Sequence, residues 1–404
     1  MRSWDYFSLL WKIPLICKFS QGVAAIAKLI GCYNIVVGSS ILSLLIRCSW
    51  PWHSLYSLHW RQKLQSTLLN SATKTLNIRQ QSYFISRQES TALQVTAYCA
   101  GKSIKHHRVD ISLPNGTGIP SPALHVITLR NANPSGPTIF YAHGGGYQAP
   151  LKSRVAIPLV SRMASSCKAA KIVILQYSLT PATQYPGQLV QAVEGLRYLI
   201  DNGCAPSDIV LAGDSAGGHL IASVILHLQL PAPGLSPIDL QGTSFRAAIL
   251  LSPWLRMNED RTEARVNERF DFLHAKLLQH YADLFNPDEN HIWANPMEGH
   301  DAKSLWSRAV GQSGVVNKLL VTAGDAELLF DTCKSFMSEY VAGQTVVMDP
   351  TAKGTDLKSA IQGARAVLAI GLHEVHIQPS FDASQNYYEG GTMTAMSYFL
   401  DTLK

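Results

Sequence analysis

One serine in this chain stands where nucleophilic chemistry needs it. Gly213-Asp214-Ser215-Ala216-Gly217 fits G-x-S-x-G, preceded by the apolar run DIVLAG (208–213) and followed by GHLIASVILHLQL from Gly218. The run reads as a strand and the stretch as a helix. Small residues between them allow a very tight turn, which strains the serine and lifts its hydroxyl above the sheet end, over the positive end of the helix. The spacing matches neither of the common glycine-rich phosphate loops, G-x-x-x-x-G-K-[ST] or G-x-G-x-x-G. A second motif, His143-Gly144-Gly145-Gly146-Tyr147, follows the run TIFYA (138–142). Glycines there let backbone N–H groups approach a developing oxyanion without side-chain obstruction. Gly144 and Gly145, with the N–H of Ala216 beside the serine, are the expected donors, and His143, Gly146 and Asp214 complete the two motifs. A serine facing such donors is equipped for acyl transfer through a covalent acyl-enzyme.

These motifs need elements to hold them. From about Val126 short apolar runs alternate with helical stretches: TIFYA, KIVILQY (171–177), DIVLAG, AAILLS (247–252), KLLVTAG (318–324) and AVLAIG (366–371), with PGQLVQAVEGLRYLIDNG (186–203) as one of the helices between them. Continuous apolar strands alternating with helices predict an α/β fold whose mostly parallel sheet is covered on both faces.

The two glycine motifs, together with Tyr177, Leu179, Pro181 and Pro186 in QYSLTPATQYPGQLVQAVEGLRYL, resemble the hormone-sensitive-lipase-like branch of the α/β-hydrolases. The resemblance runs from about Pro137 to Leu403 and is closest to the fungal-type esterases that include steryl acetate hydrolases. It implies an α/β-hydrolase fold with a helical cap, ester hydrolysis, a small-molecule ester substrate, and no metal or organic cofactor. It also implies the chain order nucleophile, acid, histidine. The stretch after KLLVTAG offers Asp325, Glu327 and Asp331. The family places its acid four residues before a second acidic residue, which selects Glu327, a glutamate where aspartate is commoner. The stretch after AVLAIG offers His373 and His376. The family pattern of histidine, two residues, then proline or an aromatic selects His376, ahead of Pro379. The resemblance thus implies catalytic Ser215, Glu327 and His376. The connection 349–365 looks longer than the family's, and Trp254, Trp293 and Trp306 read as core aromatics or pocket walls.

The N-terminal part differs. Leu29–Ile46 holds eighteen residues without a formal charge, just enough to cross a bilayer as a helix. The expectation is a single-pass anchor in the endoplasmic reticulum or another endomembrane. SWPWHSLYSLHW (49–60) is aromatic, and residues 61–77 read as an amphipathic helix of the cap. The expected organisation is an N-terminal segment over 1–100 and a catalytic domain over 101–404 with a cap insertion at about 256–316.

Bulk properties exclude other classes. With 404 residues, 47% hydrophobic and 15% charged, the chain is neither disordered nor a coiled coil. Its +6 charge is scattered, which argues against a nucleic-acid partner. Seven cysteines without a CxxC give no disulfide or zinc framework. Asn115-Gly116-Thr117 is a glycosylation sequon, which matters only in a secretory lumen. Two rivals to ester hydrolysis stay open: acyl transfer or cyclisation by the same serine, and ligand binding without turnover.

Overall fold

The computed structural model describes residues 58–76, 90–114, 118–257, 264–288, 290–349 and 355–404. The described elements begin with two helices, α1 (Trp60–Thr75) and α2 (Thr91–Lys102). Strands β1 (Lys105–Asp110), β2 (Ala123–Thr128) and β3 (Thr138–Ala142) follow, then α3 (Ser153–Ser166), β4 (Lys171–Gln176), α4 (Gly187–Asp201), β5 (Ile209–Asp214), α5 (Ala216–Gln229) and β6 (Ala247–Leu251). Helices α6 (Ala275–Phe285) and α7 (Ala302–Ala309) lead to β7 (Leu319–Gly324), α8 (Phe330–Ser335), β8 (Gln344–Met348), α9 (Thr355–Gly363), β9 (Ala366–Gly371), α10 (Gln378–Ser384) and α11 (Gly391–Asp401).

The strands form one sheet in the order β1-β2-β4-β3-β5-β6-β7-β9-β8. β2 runs antiparallel to both β1 and β4, and the remaining neighbours are parallel. Strands β3, β5, β6 and β7 are buried along their whole length, as the continuous apolar runs require when helices cover both faces. Alternate residues feed two cores. Phe140, Leu211, Leu250 and Val321 pack with Leu196 of α4 and Leu220 of α5 on one face. Ile139, Val210, Ile249 and Leu320 pack with Leu159 of α3 and Phe399 of α11 on the other.

Register brings the chemistry together. Ala142 lies beside Gly213, Asp214 beside Leu251, and Gly324 beside Gly371. The C-terminal ends of β3, β5, β6, β7 and β9 are therefore level, and every turn singled out in the sequence leaves the sheet at one edge. Trp254, Trp293 and Trp306 are core aromatics in the described structure.

Three elements depart from the sequence reading. Strand β1, KHHRVD, is an edge strand that is mostly exposed, with only His106 and Val109 half-buried, so it carries no apolar run. Strand β8, QTVVM, lies at the opposite edge, between the acid and histidine turns and directly before the connection 349–365, and no apolar run marked it. Helix α1 forms where an amphipathic helix is expected, but its faces are inverted. Its buried residues are Gln62, Ser66, Thr67, Asn70 and Ser71, while Trp60, Leu64 and Leu68 are exposed.

The expected single-pass membrane location requires correction. Among the described residues no helix is long and apolar enough to cross a membrane. Residues 29–46 and the Asn115 sequon lie outside the described residues.

Candidate active site

Ser215 occupies the step between β5 and α5 with φ 53° and ψ −119°. A non-glycine residue there carries strain of roughly 1–3 kcal/mol, which the surrounding structure must impose. Two backbone bonds impose it: the Ser215 N–H donates to the Leu251 carbonyl at 2.9 Å, and the Trp254 N–H donates to the Ser215 carbonyl at 3.2 Å. The turn also needs room. A Cβ on Gly217 would stand 2.1 Å from the Ala142 carbonyl oxygen, so any side chain there would push α5 away from β3.

His376 follows β9, and its Nε2 lies 2.9 Å from Ser215 Oγ. Its Nδ1 faces Glu327 Oε2 at 3.8 Å, an ion-pair distance longer than a hydrogen bond. Both side chains are buried. Burial lowers the imidazole pKa to about 3, so the ring is neutral and able to accept a proton at Nε2. Burial raises the Glu327 carboxyl well above its ordinary range, and a hydrogen bond from Ser252 opposes that rise. Ser252 Oγ donates to Glu327 Oε2 at 2.6 Å and accepts the Ile377 N–H at 3.1 Å. This serine therefore joins the acid side chain to the histidine turn. Nothing in the sequence motifs marks it, although it is the residue that ends AAILLS beside the elbow.

The other two acids occupy different places on the same stretch. Asp331 sits in the first turn of α8. Asp325 accepts the N–H of His373 at 2.5 Å and so braces the histidine turn from outside.

The glycine loop lies against the elbow. A Cβ on Gly144 would be 2.6 Å from Asp214 Oδ2 and 3.1 Å from Ser215 Cβ. The Tyr177 hydroxyl donates to the His143 carbonyl at 2.6 Å, and its ring stacks on His143 at 4.5 Å, which fixes the loop from behind. Burial lowers the His143 imidazole to about 4, so it sits there as a neutral packing group. The expectation for Gly144 requires correction. Its N–H is committed to Asp214 Oδ1 at 2.9 Å, because the carboxylate next to the nucleophile is buried directly beneath the loop. The N–H groups of Gly145, Gly146 and Ala216 take no partner among the described residues.

Asp214 thus clamps the loop to the elbow. It also accepts the Tyr141 hydroxyl, and burial raises its carboxyl to about 6 against the pull of both donors. Asp214→Ala strands two buried donors, each worth roughly 1–3 kcal/mol. The denaturant midpoint should fall markedly. Asp214→Asn keeps one acceptor oxygen and should lose less. Equal midpoints for wild type and Asp214→Ala would remove this role.

Among the described residues no group of three or more His, Cys, Asp and Glu side chains is arranged to hold a metal ion.

Comparison with known proteins agrees with this architecture. A family model described as alpha/beta hydrolase fold matches residues 139–351. An acetyl-hydrolase of Streptomyces hygroscopicus is 28% identical over 213 residues, covering 51% of this chain and 62% of that protein. An esterase of Gibberella moniliformis is 37% identical over 103 residues, covering 24% of this chain and 32% of that protein. The chain therefore spans less than two thirds of either relative. The crystal structure of a hormone-sensitive lipase from a metagenome library superposes with a TM-score of 0.58 at 17% identity, over 85% of this chain and 99% of that one. At that identity the likeness speaks for the fold.

Proposed function

The chain belongs to the α/β-hydrolase fold family, and from that premise we propose that it cleaves carboxylic esters through an acyl-enzyme on Ser215. The observation that carries this reading is the 2.9 Å approach of His376 Nε2 to the hydroxyl of a backbone-strained serine. In the proposed sequence Ser215 Oγ attacks the ester carbonyl while His376 takes its proton. The carbonyl oxygen becomes an oxyanion held by backbone N–H groups, with Gly145 and Ala216 as the donors and Gly146 available beside them. His376 returns the proton to the departing alcohol. Water, deprotonated by the same ring, then attacks the acyl-enzyme, and the collapse of that second intermediate releases the acid and restores Ser215. Glu327 holds the ring in the tautomer that leaves Nε2 free and stabilises the imidazolium formed in each half-reaction.

We assign a short acyl ester of a hydrophobic alcohol as the substrate class. Two observations support this. The Phe272 ring lies 5.7 Å from the His376 ring and Phe381 meets Phe272 edge-on at 5.5 Å, which gives the imidazole an apolar wall. One relative bears the name acetyl-hydrolase. The stretch around 256–316, together with α1, is proposed to act as the cap over this wall.

The experiment is turnover of p-nitrophenyl acetate and butyrate, followed to early times and with a competing alcohol or amine present. Hydrolysis predicts steady release of the free acid, with an initial burst of p-nitrophenol if deacylation is slower. Transfer of most acyl groups to the acceptor would replace hydrolysis by acyl transfer. Binding without any p-nitrophenol release would refute the reading.

A further inference from the structure

Glu327 and His376 stand on turns from different strands, β7 and β9, and their side chains are 3.8 Å apart. A small relative shift of the two turns decides whether the acid supports the base. Ser252 links the Glu327 side chain to one of these turns, but it does not fix the two backbones to each other. The two turns meet through the Ala326 N–H, which donates to the Glu374 carbonyl at 3.1 Å, and through Asp325, which accepts the His373 N–H; one further buried side chain ties them at the acid and the base themselves. Asp271, from the stretch before α6, accepts the Leu328 N–H at Oδ2 (2.7 Å) and the His376 N–H at Oδ1 (3.4 Å). Leu328 directly follows the acid, and His376 is the base. A single carboxylate therefore bridges both turns at their functional residues.

Asp271 is itself held in place. The N–H of Phe272 donates to its Oδ1 at 2.8 Å, and the Asn70 side chain on α1 donates to its backbone carbonyl. Nearby, Asn267 Nδ2 donates to the carbonyls of Asp325 (3.0 Å) and Glu327 (2.9 Å), a second tie from the same stretch to the acid turn. At the other end of α1, Gln62 donates to Asp382 Oδ2 at 2.9 Å on α10, the helix that begins just after His376. The inverted faces of α1 follow from these contacts. Its amide side chains face inward because they bind the histidine helix and the Asp271 segment, and burying a leucine there would leave those polar groups unsatisfied.

We propose that Asp271 is a positioning residue for the reaction: its carboxylate sets the separation of the acid and histidine turns, and α1 is the strap that seats it through Asn70. The inference rests on the serine-hydrolase reading above. It places catalytic competence partly in a helix far from the nucleophile in sequence and in a residue of the capping stretch, neither of which carries a motif.

The test uses the full chain with p-nitrophenyl butyrate, measuring kcat and KM separately, the rate of fluorophosphonate labelling, and the melting temperature. Asp271→Asn preserves size but turns an NH2 toward a backbone N–H, so one of the two turns is released. A displacement of about 1 Å at a catalytic group costs on the order of 10²-fold. The expected result is a fall of that order in kcat and in labelling rate, with KM little changed. Asn70→Ala removes only the donor on the strap and should lower kcat less, in the same direction. A change confined to KM, or wild-type kcat in Asp271→Asn, would overturn the proposal. Should Asp271→Asn fail to fold, wild-type kcat in a folded Asn70→Ala protein would overturn it equally. An inactive wild type would instead bring down the ester-hydrolase reading and this inference with it, whereas an active wild type with unaffected variants leaves that reading standing.

Discussion

Ser215→Ala is expected to abolish ester hydrolysis and fluorophosphonate labelling while leaving the fold intact. The expected loss in kcat is on the order of 10⁶-fold, the scale on which removing the nucleophile disables a serine protease triad. Both parts of this result follow from the site. The hydroxyl is the group 2.9 Å from His376 Nε2, and no other side chain forms a hydrogen bond with that nitrogen among the described residues. The fold should survive because the strained turn is held by backbone bonds to Leu251 and from Trp254, and by the close approach of Gly217 to β3. None of these uses the serine side chain. Alanine keeps the same Cβ and therefore the same strain, so the melting temperature should move little. Fluorophosphonate labelling of the alanine protein at the wild-type rate would place the nucleophile elsewhere and end the assignment.

Legibility in the sequence followed the physics that each element depends on. The parallel strands were legible because burial on both faces demands continuous apolar runs, and TIFYA, KIVILQY and AAILLS are such runs. The elbow and the glycine loop were legible because backbone constraints leave a local signature in glycine. Edge strand β1 was not, since it buries little and its HHR sequence has no pattern to detect. The destination of the Gly144 N–H was not legible either. It depends on Asp214, seventy residues away in the chain, lying under the loop. Asp271 and Ser252 escaped for the same reason, because a side chain that ties two distant turns leaves no spacing of its own. Helix α1 had the right period, but period alone does not say which face turns inward. The polar face won because α10 and the Asp271 segment offer acceptors rather than an apolar surface.

Glu327→Gln separates the three candidate acids, and its expected cost is up to on the order of 10⁴-fold in kcat, as when the aspartate of a serine protease triad becomes asparagine. The substitution is nearly isosteric. Both Ser252 and His376 Nδ1 face the same Oε2, and with NH2 at that position the Ser252 hydroxyl can accept instead of donate, so folding should persist. The substitution also presents that NH2 group to His376 Nδ1, and the donor favours the tautomer with the proton on Nε2, where the base must be free. A neutral amide further removes the charge that stabilises the imidazolium. Asp325→Asn acts through a different contact. It weakens the bond from the His373 N–H and loosens the histidine turn, so an intermediate loss is expected. Asp331 lies in the first turn of α8, where a negative charge favours the helix N-terminus. Asp331→Asn should therefore cost stability of roughly 1 kcal/mol or less and leave kcat nearly unchanged. Measuring kcat and unfolding midpoints for all three variants gives a ranking that only one assignment satisfies. If Asp325→Asn or Asp331→Asn collapses kcat while Glu327→Gln keeps most of it, the acid of the triad is not Glu327, even with Ser215 and His376 in their proposed roles.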